Sequence, residues 1–216
     1  MLGSLRKMCG SVREAGGWQS VLAASLVAGL LASIAATPAN AGGSSIGVSV
    51  TSERLPDDFN SLKSTDFEVD ASHTFDNHVI IGASLKYYDT AHSGDSTLNI
   101  EGTIGYVHSF TDFISLTASV GVGERFQTSG QGNDFPYYVA RLGADVVVTP
   151  TITWNAISLR YRNAFDTDND YDTPEVATGV TFKLDERHSV SAQIERDWKD
   201  GEASYTGLQL GYRFHF

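Results

Sequence analysis

The chain has 216 residues, of which 15 are basic and 26 acidic, giving a formal charge of −11 at pH 7 with neutral histidines. This acidic balance argues against nucleic acid as a partner, because phosphate binding needs clustered lysine and arginine. The single cysteine, Cys9, lies in the N-terminal segment, so the rest of the chain can form neither a disulfide nor a thiolate metal site.

The first 41 residues have the order of a secretory signal peptide. Three basic residues precede an apolar run over residues 21–36, and the small-residue site Ala39-Asn40-Ala41 follows. The run is shorter than the roughly 20 residues that a helix needs to cross a bilayer. We therefore expect export and cleavage near Ala41, with residues 42–216 forming one domain. That domain keeps 12 basic and 25 acidic residues, a formal charge of −13.

Ten strands are predicted after Gly42, because apolar and polar residues alternate with a period of two almost throughout. The pattern is clearest at the C-terminus, where Leu208, Tyr212, Phe214 and Phe216 share an apolar face. The predicted strands cover residues 44–53, 65–75, 79–89, 96–110, 113–126, 137–149, 152–165, 174–184, 188–198 and 203–216.

The connections between these strands alternate in length. Tight turns are predicted at residues 76–77, 111–112, 150–151 and 185–186, and the connections between them are mostly longer and polar. A membrane barrel with an even strand number has short periplasmic turns and longer external loops, and a tilted strand of ~9–11 residues spans the membrane. The sequence therefore predicts an all-β fold, a ten-stranded antiparallel transmembrane β-barrel, with eight strands as the alternative count.

Alternation alone does not decide which face is inside. A soluble barrel such as a lipocalin would turn its apolar face inward. Here aromatic residues concentrate near both ends of the strands, as two membrane interfaces require, and the polar face is rich in Gly, Ser and Thr. These features favour lipid outside the barrel and a polar lumen.

The alternating C-terminal strand with Tyr212, Phe214 and a terminal Phe216 resembles the assembly signal of bacterial outer-membrane barrels. With the predicted strands, the chain resembles a small bacterial outer-membrane β-barrel protein of the porin-like class. The resemblance implies a location in the outer membrane, insertion by the outer-membrane assembly machinery, and contact with membrane lipid and lipopolysaccharide. It implies no cofactor and leaves the oligomeric state open.

The lumen face carries a cluster of charges, which forms either a structural network or a charged constriction for ions and small polar solutes. Pairing across the predicted turns places Glu68 opposite Lys86, and Arg141 opposite Arg160. Two like charges opposite one another are destabilising, so a carboxylate should lie beside the arginines. The hypothesis is that the two groups face each other across the lumen as an acidic and a basic wall, whereas the alternative is a structural network that fills the interior. The predicted cluster is Glu68, Lys86, Glu101, Arg141, Asp145, Arg160 and Glu195. Trp154 falls on the lumen face and predicts a bulge in the seventh strand.

Two further kinds of site are weaker candidates. The acidic loop with Asp166, Asp168, Asp170 and Asp172 resembles the start of a calcium loop but lacks its glycine and trailing glutamate. We therefore expect no dedicated metal site, although weak binding of divalent cations stays open.

Catalysis is not expected either. His92 lies near Asp89 and Asp95 but lacks the second pair that omptin-type proteases carry. His108 and Ser109, the residue types that lipid A deacylases use, point to opposite faces of their strand.

The sequence thus predicts an outer-membrane barrel without enzymatic activity, acting as a narrow passive channel for ions or small polar solutes, or as a structural barrel. The alternative is a surface-exposed barrel with a closed lumen, whose acidic loops bind a partner or divalent cations.

Overall fold

The computed structural model describes residues 43–169 and 171–216. The predicted signal peptide, its cleavage near Ala41, and Asp170 of the acidic loop lie outside the described residues. The described part contains no helix long and apolar enough to cross a membrane. Its ten strands are β1 (Gly43–Arg54), β2 (Leu62–Thr74), β3 (Val79–Thr90), β4 (Ser96–Thr111), β5 (Ile114–Ser129), β6 (Phe135–Thr149), β7 (Ile152–Ala164), β8 (Thr173–Lys183), β9 (His188–Lys199) and β10 (Glu202–His215).

These strands form one closed antiparallel barrel. Each strand pairs with its neighbours in sequence, and β1 pairs with β10 to close the sheet. Each predicted strand is present with ends within three residues of the predicted ones. The prediction of ten strands is therefore confirmed, and the alternative of eight is wrong.

The connections divide the barrel into a turn end and a loop end. At the loop end, Asp200 and Gly201 form the turn between β9 and β10. Their φ angles of 54° and 79° are the left-handed conformation that a two-residue hairpin turn requires. At the opposite end, backbone N–H groups of Arg187 and His188 donate to the Asp185 carboxylate, which ties down the β8–β9 turn. These hydrogen bonds lower the pKa of Asp185, and the bond from Arg187 has the largest effect.

The predicted bulge near Trp154 is present. The register between β6 and β7 shifts between Ala144 and Asp145, and shifts back between Val147 and Thr149. Because the two shifts cancel, Arg141 lies opposite Arg160 as the sequence predicts. Trp154 faces outward and is 46% exposed, since the bulge reverses the alternation of β7 at this point.

The outer face of the barrel is apolar and the inner face is polar. Exposed aliphatic side chains form the outer surface between two belts of aromatic residues, with Phe110 and Phe113 toward the turns and Tyr138 and Tyr161 toward the loops. His108 packs edge to face on Phe110 in the turn-side belt, with ring centroids 4.6 Å apart. This arrangement places the ionisable groups of the strands largely in the lumen, where the candidate site lies.

Candidate functional site in the barrel lumen

The lumen contains two separate polar cavities. The turn-side vestibule has a volume of about 920 Å³ and is lined mainly by short side chains such as Ser49, Ser84, Thr117 and Ser191. The loop-side vestibule has a volume of about 370 Å³. The two have no lining residue in common. The side chains between and around them form what we call the charged layer, whose members on the strands are Asp66, Lys86, Glu101, Tyr137, Arg160, Arg162, Glu175, Glu195 and Asp197.

Buried ion pairs hold the charged layer together. The Lys86 ammonium lies 3.3 Å from the Asp66 carboxylate, and these side chains are only 7% and 0% exposed. The Arg160 guanidinium pairs with Glu175 on the neighbouring strand β8 and lies 3.9 Å from Asp197 on β9. A buried charge without a partner is strongly unfavourable, so each of these groups depends on the others to remain ionised.

A further ion pair lies at the turn-side edge of the layer. Arg141 of β6 contacts Glu101 of β4, passing the intervening strand β5. The inward residues of β5 at this level are the small Ser119, Gly121 and Gly123, which leave room for the long arginine side chain. Glu101 is 4% exposed. The pair therefore covers the wall of the barrel with charge instead of leaving an open basic surface.

One hydrogen bond crosses the bore. The Arg162 guanidinium on β7 donates to the Tyr88 hydroxyl on β3 over 3.1 Å. These strands are four positions apart around the ten-stranded barrel in one direction and six in the other. A direct contact between nearly opposite walls leaves no open channel through that point of the lumen.

The β7–β8 loop adds a tyrosine to the layer from the loop side. Asn99 Nδ2 donates to the Tyr171 hydroxyl over 3.0 Å, and the Tyr171 ring lies 5.4 Å from that of Tyr137. The guanidinium carbons of Arg125 and Arg162 lie 5.4 and 5.2 Å from the centre of the Tyr171 ring, within cation–π distance. Tyr137 itself is 0% exposed. The aromatic groups thus fill the space that the ion pairs leave.

The hydrogen bonding of the charged layer is incomplete. Glu195 Oε1, Asp197 Oδ2, and the Nε atoms of Arg160 and Arg162 are buried without a hydrogen-bond partner among the described residues. Most buried polar groups in folded proteins are satisfied, and each exception needs an explanation. Replacing buried ion pairs with apolar residues of similar volume is often neutral or stabilising, so stability alone does not explain this layer.

Comparison with solved structures identifies the fold. An outer membrane channel from Pseudomonas putida F1, COG4313, aligns with 83% of this chain and 99% of its own, at 13% identity and a TM-score of 0.51. The chain has the fold of a porin-like outer-membrane β-barrel. The KdgM porin aligns with 80% of this chain and 99% of its own, at 14% identity and a TM-score of 0.47. The NanC porin aligns with 78% of this chain and 98% of its own, at 9% identity and a TM-score of 0.48. No family model and no curated protein matches the sequence.

In this porin-like barrel all seven charges of the predicted cluster lie on inward positions. Glu68 lies opposite Lys86, and Arg141 opposite Arg160, in the predicted register. Asp145 accepts a hydrogen bond from Asn155 Nδ2 over 2.8 Å in the turn-side vestibule. Glu195 is 3% exposed and lies within the charged layer.

The hypothesis of separate acidic and basic walls is wrong. Lys86 lies opposite Glu68 in the sheet but forms its ion pair with Asp66, which precedes Glu68 by two residues on the same strand. Arg141 and Arg160 each contact a carboxylate directly, Glu101 and Glu175, respectively. Long basic side chains reach past the nearest position in the sheet, so each of these bases contacts a carboxylate directly instead of facing one across an open gap.

Several members of the layer are absent from the predicted cluster. Asp66, Arg162, Glu175 and Asp197 occupy inward positions of their strands, but alternation does not tell which inward charges touch. Tyr137 could have been predicted from the sequence, because it is a large aromatic residue on the lumen face of its strand. Tyr171 gives none, because it enters the lumen from a loop.

The structure describes the acidic loop except for Asp170. Asp166 accepts a hydrogen bond from the backbone N–H of Asp168 over 3.0 Å, a local turn contact. The described part of the chain contains no group of three or more His, Asp or Glu residues arranged to hold a metal ion.

Proposed function

We propose that this porin-like barrel is an integral protein of the bacterial outer membrane and a narrow ion path that the charged layer holds closed. The observation that carries the proposal is the hydrogen bond between Arg162 and Tyr88 across the bore, with a water-accessible vestibule on each side of it. Solute passage then requires the layer to rearrange. The solutes that suit this path are small ions, because water can hydrate the charges of the layer and ions can pair with them.

The composition of the layer supports a gate rather than a filler. Its buried acids outnumber its buried bases, and some of its polar atoms have no hydrogen-bond partner among the described residues. Such a network is costly when dry and gains hydration when it opens. The excess of carboxylates in the layer favours cations over anions in the open state.

Single-channel recording in planar lipid bilayers tests this proposal. We expect the unaltered protein to be closed at low voltage with brief, small openings, and the double variant Arg162→Ala, Tyr171→Ala to open far more often with cation preference. Tyr161→Ala, which alters an outward-facing tyrosine, is the control and should behave as the parent protein. Steady openings of the unaltered protein at all voltages would contradict closure, and a silent double variant would contradict gating.

A second function is favoured by the surface of the loop end. Phe59 and Phe165 are each 57% exposed there and lie next to the acidic residues Asp58 and Asp166. This combination fits a protein-binding surface on a barrel whose lumen never opens. Silence of both the unaltered protein and the double variant would favour this second function.

We also propose that the outer-membrane assembly machinery inserts the chain and recognises Tyr212, Phe214 and Phe216. Phe216 is 49% exposed and stacks on Phe214, with ring centroids 5.9 Å apart. Its backbone N–H donates to Ser44 O over 3.0 Å at the closing pair of strands. Phe216→Ala should lower the amount of folded, heat-modifiable protein without changing export, and an unchanged yield would exclude this signal.

A further inference from the structure

Two arginines occupy the outer face of the barrel near its loop end. Arg54 of β1 and Arg196 of β9 both lie opposite Thr206 of β10, so the three residues form one row across three adjacent strands. Residues directly opposite in a sheet project to the same face. Val176, which continues the row on β8, is 40% exposed and shows that this face is the outer one.

The row lies at the upper edge of the apolar surface. On the next outward level toward the turns, Ile194 and Leu208 are 45% and 52% exposed. The strands end within a few residues on the loop side, where β1 stops at Arg54 and β9 at Lys199. The arginines are therefore at the height of the lipid headgroups, where a lipid-facing arginine costs about 0–1 kcal/mol against about 2–4 kcal/mol at the midplane.

No carboxylate among the described residues forms an ion pair with either guanidinium. Arg196 Nη1 donates to Thr206 Oγ1 over 2.6 Å, and Arg54 Nη1 donates to the backbone oxygen of Asn60 over 3.3 Å. Both contacts use one donor of a group that carries five. The remaining donors and the Thr206 hydroxyl proton are available to an acceptor outside the barrel.

The spacing of the row fits an anion with several oxygens. Adjacent strands are about 4.8 Å apart, so the backbones of Arg54 and Arg196 are separated by roughly 10 Å. Two arginine side chains extending from that distance can converge on one group above Thr206. Arginine is the residue of choice for phosphate because its planar fork donates two parallel hydrogen bonds.

We propose that Arg54, Thr206 and Arg196 bind a phosphate group of a phosphorylated glycolipid in the outer leaflet. The occupant is a lipid because the row continues directly into the lipid-facing surface of Ile194 and Leu208, against which acyl chains pack. The remaining basic side chains of the strands do not share this position. Lys63, Lys86, Arg125, Arg141, Arg160, Arg162, Lys183, Lys199 and Arg213 form ion pairs or ring contacts inside the lumen or line its vestibules. The site depends on the outer-membrane location proposed above but not on a closed lumen.

Binding of lipid A to the folded full-length barrel in detergent tests the site. The probes are bisphosphorylated lipid A, the same lipid A without its phosphates, and inorganic phosphate, measured by native mass spectrometry. We expect the unaltered protein to prefer the phosphorylated lipid by at least about tenfold, the effect of one charge-assisted hydrogen bond. In the double variant Arg54→Gln, Arg196→Gln this preference should disappear.

Matched variants separate the site from general charge and from folding. Lys183→Gln combined with Arg187→Gln removes two positive charges at the turn end and should leave lipid binding within twofold of the parent. Arg54→Lys with Arg196→Lys keeps the charge without the planar fork and should give intermediate affinity, which also serves if the glutamine variant folds poorly.

Three results would overturn the inference. Equal binding of the lipid without phosphates would exclude phosphate recognition, and equal loss in the turn-end control would reduce the effect to net charge. Displacement of the lipid by an equal concentration of inorganic phosphate would exclude a glycolipid as the occupant. Channel recordings of the Arg54→Gln, Arg196→Gln variant distinguish this inference from the proposed gate. They should match those of the parent protein whether or not the lipid site exists.

Discussion

Toward the loops, the inward positions of the strands carry Glu, Lys, Arg and Tyr, whereas toward the turns the same strands carry Ser, Thr and Gly. Strand β7 shows the change within a few residues, from Arg162 and Arg160 to Ser158 and Asn155. Strand β5 changes from Arg125 to Ser119 and Thr117. The strand number and tilt are common to both halves, so the volume of the inward side chains decides where this barrel is closed.

The same difference appears in how the two halves treat charge. In the turn-side half, Arg213 and Asp70 form an ion pair at 2.7 Å with side chains 36% and 25% exposed. In the charged layer, Lys86 and Asp66 are 7% and 0% exposed. Solvent screens the pair of Arg213 and Asp70 and makes it weak. The attraction between Lys86 and Asp66 must instead compensate for the hydration that both charges lose on burial. An ion pair to an aspartate is therefore nearly neutral for stability in the turn-side half and critical in the charged layer.

The largest difference between the halves is expected at Arg160. Arg160→Gln should destabilise the barrel by about 3–5 kcal/mol, because it leaves the buried carboxylates of Glu175 and Asp197 without their partner. The control Lys183→Gln removes a base that is exposed in the turn-side vestibule and should change stability by less than about 0.5 kcal/mol. Urea-dependent folding into lipid vesicles measures both.

Equal stability of these two variants would contradict a difference between the halves. Adding Glu175→Gln to Arg160→Gln should recover part of the loss, since one unpaired charge is then removed. A double-mutant cycle on this pair reports its coupling free energy directly.

The sequence predicts the strands and their register well, and the contacts inside the lumen poorly. Period-two alternation and tight turns define each hairpin locally, which is why Glu68 opposite Lys86 could be predicted. The partner that Lys86 contacts is Asp66, because a long side chain chooses among several carboxylates after the barrel has closed. Tyr171 lies further beyond prediction, since the path of a loop into the lumen is a tertiary property.

Two inward-facing glycines give a smaller and sharper contrast. A Cβ on Gly123 would lie 2.4 Å from Cζ of Tyr137 and 2.7 Å from the backbone oxygen of Ile100. A Cβ on Gly143, in the turn-side half, would have no atom closer than Ile157 O at 3.9 Å. Packing at Gly123 therefore excludes even one methyl group, whereas Gly143 has space for it.

Gly123→Ala should destabilise the barrel by about 1–3 kcal/mol through overpacking. Gly143→Ala should be neutral or stabilising by about 0.4–1 kcal/mol, because alanine loses less conformational freedom on folding. The same vesicle-folding assay measures both. Tolerance of alanine at Gly123 would show that Tyr137 can move aside and that the layer is loosely packed.

The smallest expected effect concerns a single hydroxyl in each half. Thr51 is 1% exposed, and its Oγ1 accepts a hydrogen bond from Gln209 Nε2 over 3.3 Å. Thr51→Val should cost about 1 kcal/mol, since valine has a similar shape but leaves the half-buried amide of Gln209 without this acceptor. Thr117→Val removes a hydroxyl that faces the turn-side vestibule, where water replaces it, and should stay within about 0.5 kcal/mol of the parent. Both valines gain equally in strand propensity, so the difference between the two variants isolates burial. If Thr51→Val proved no worse than Thr117→Val, the boundary of the charged layer would have to lie above Thr51, at the level of Glu53.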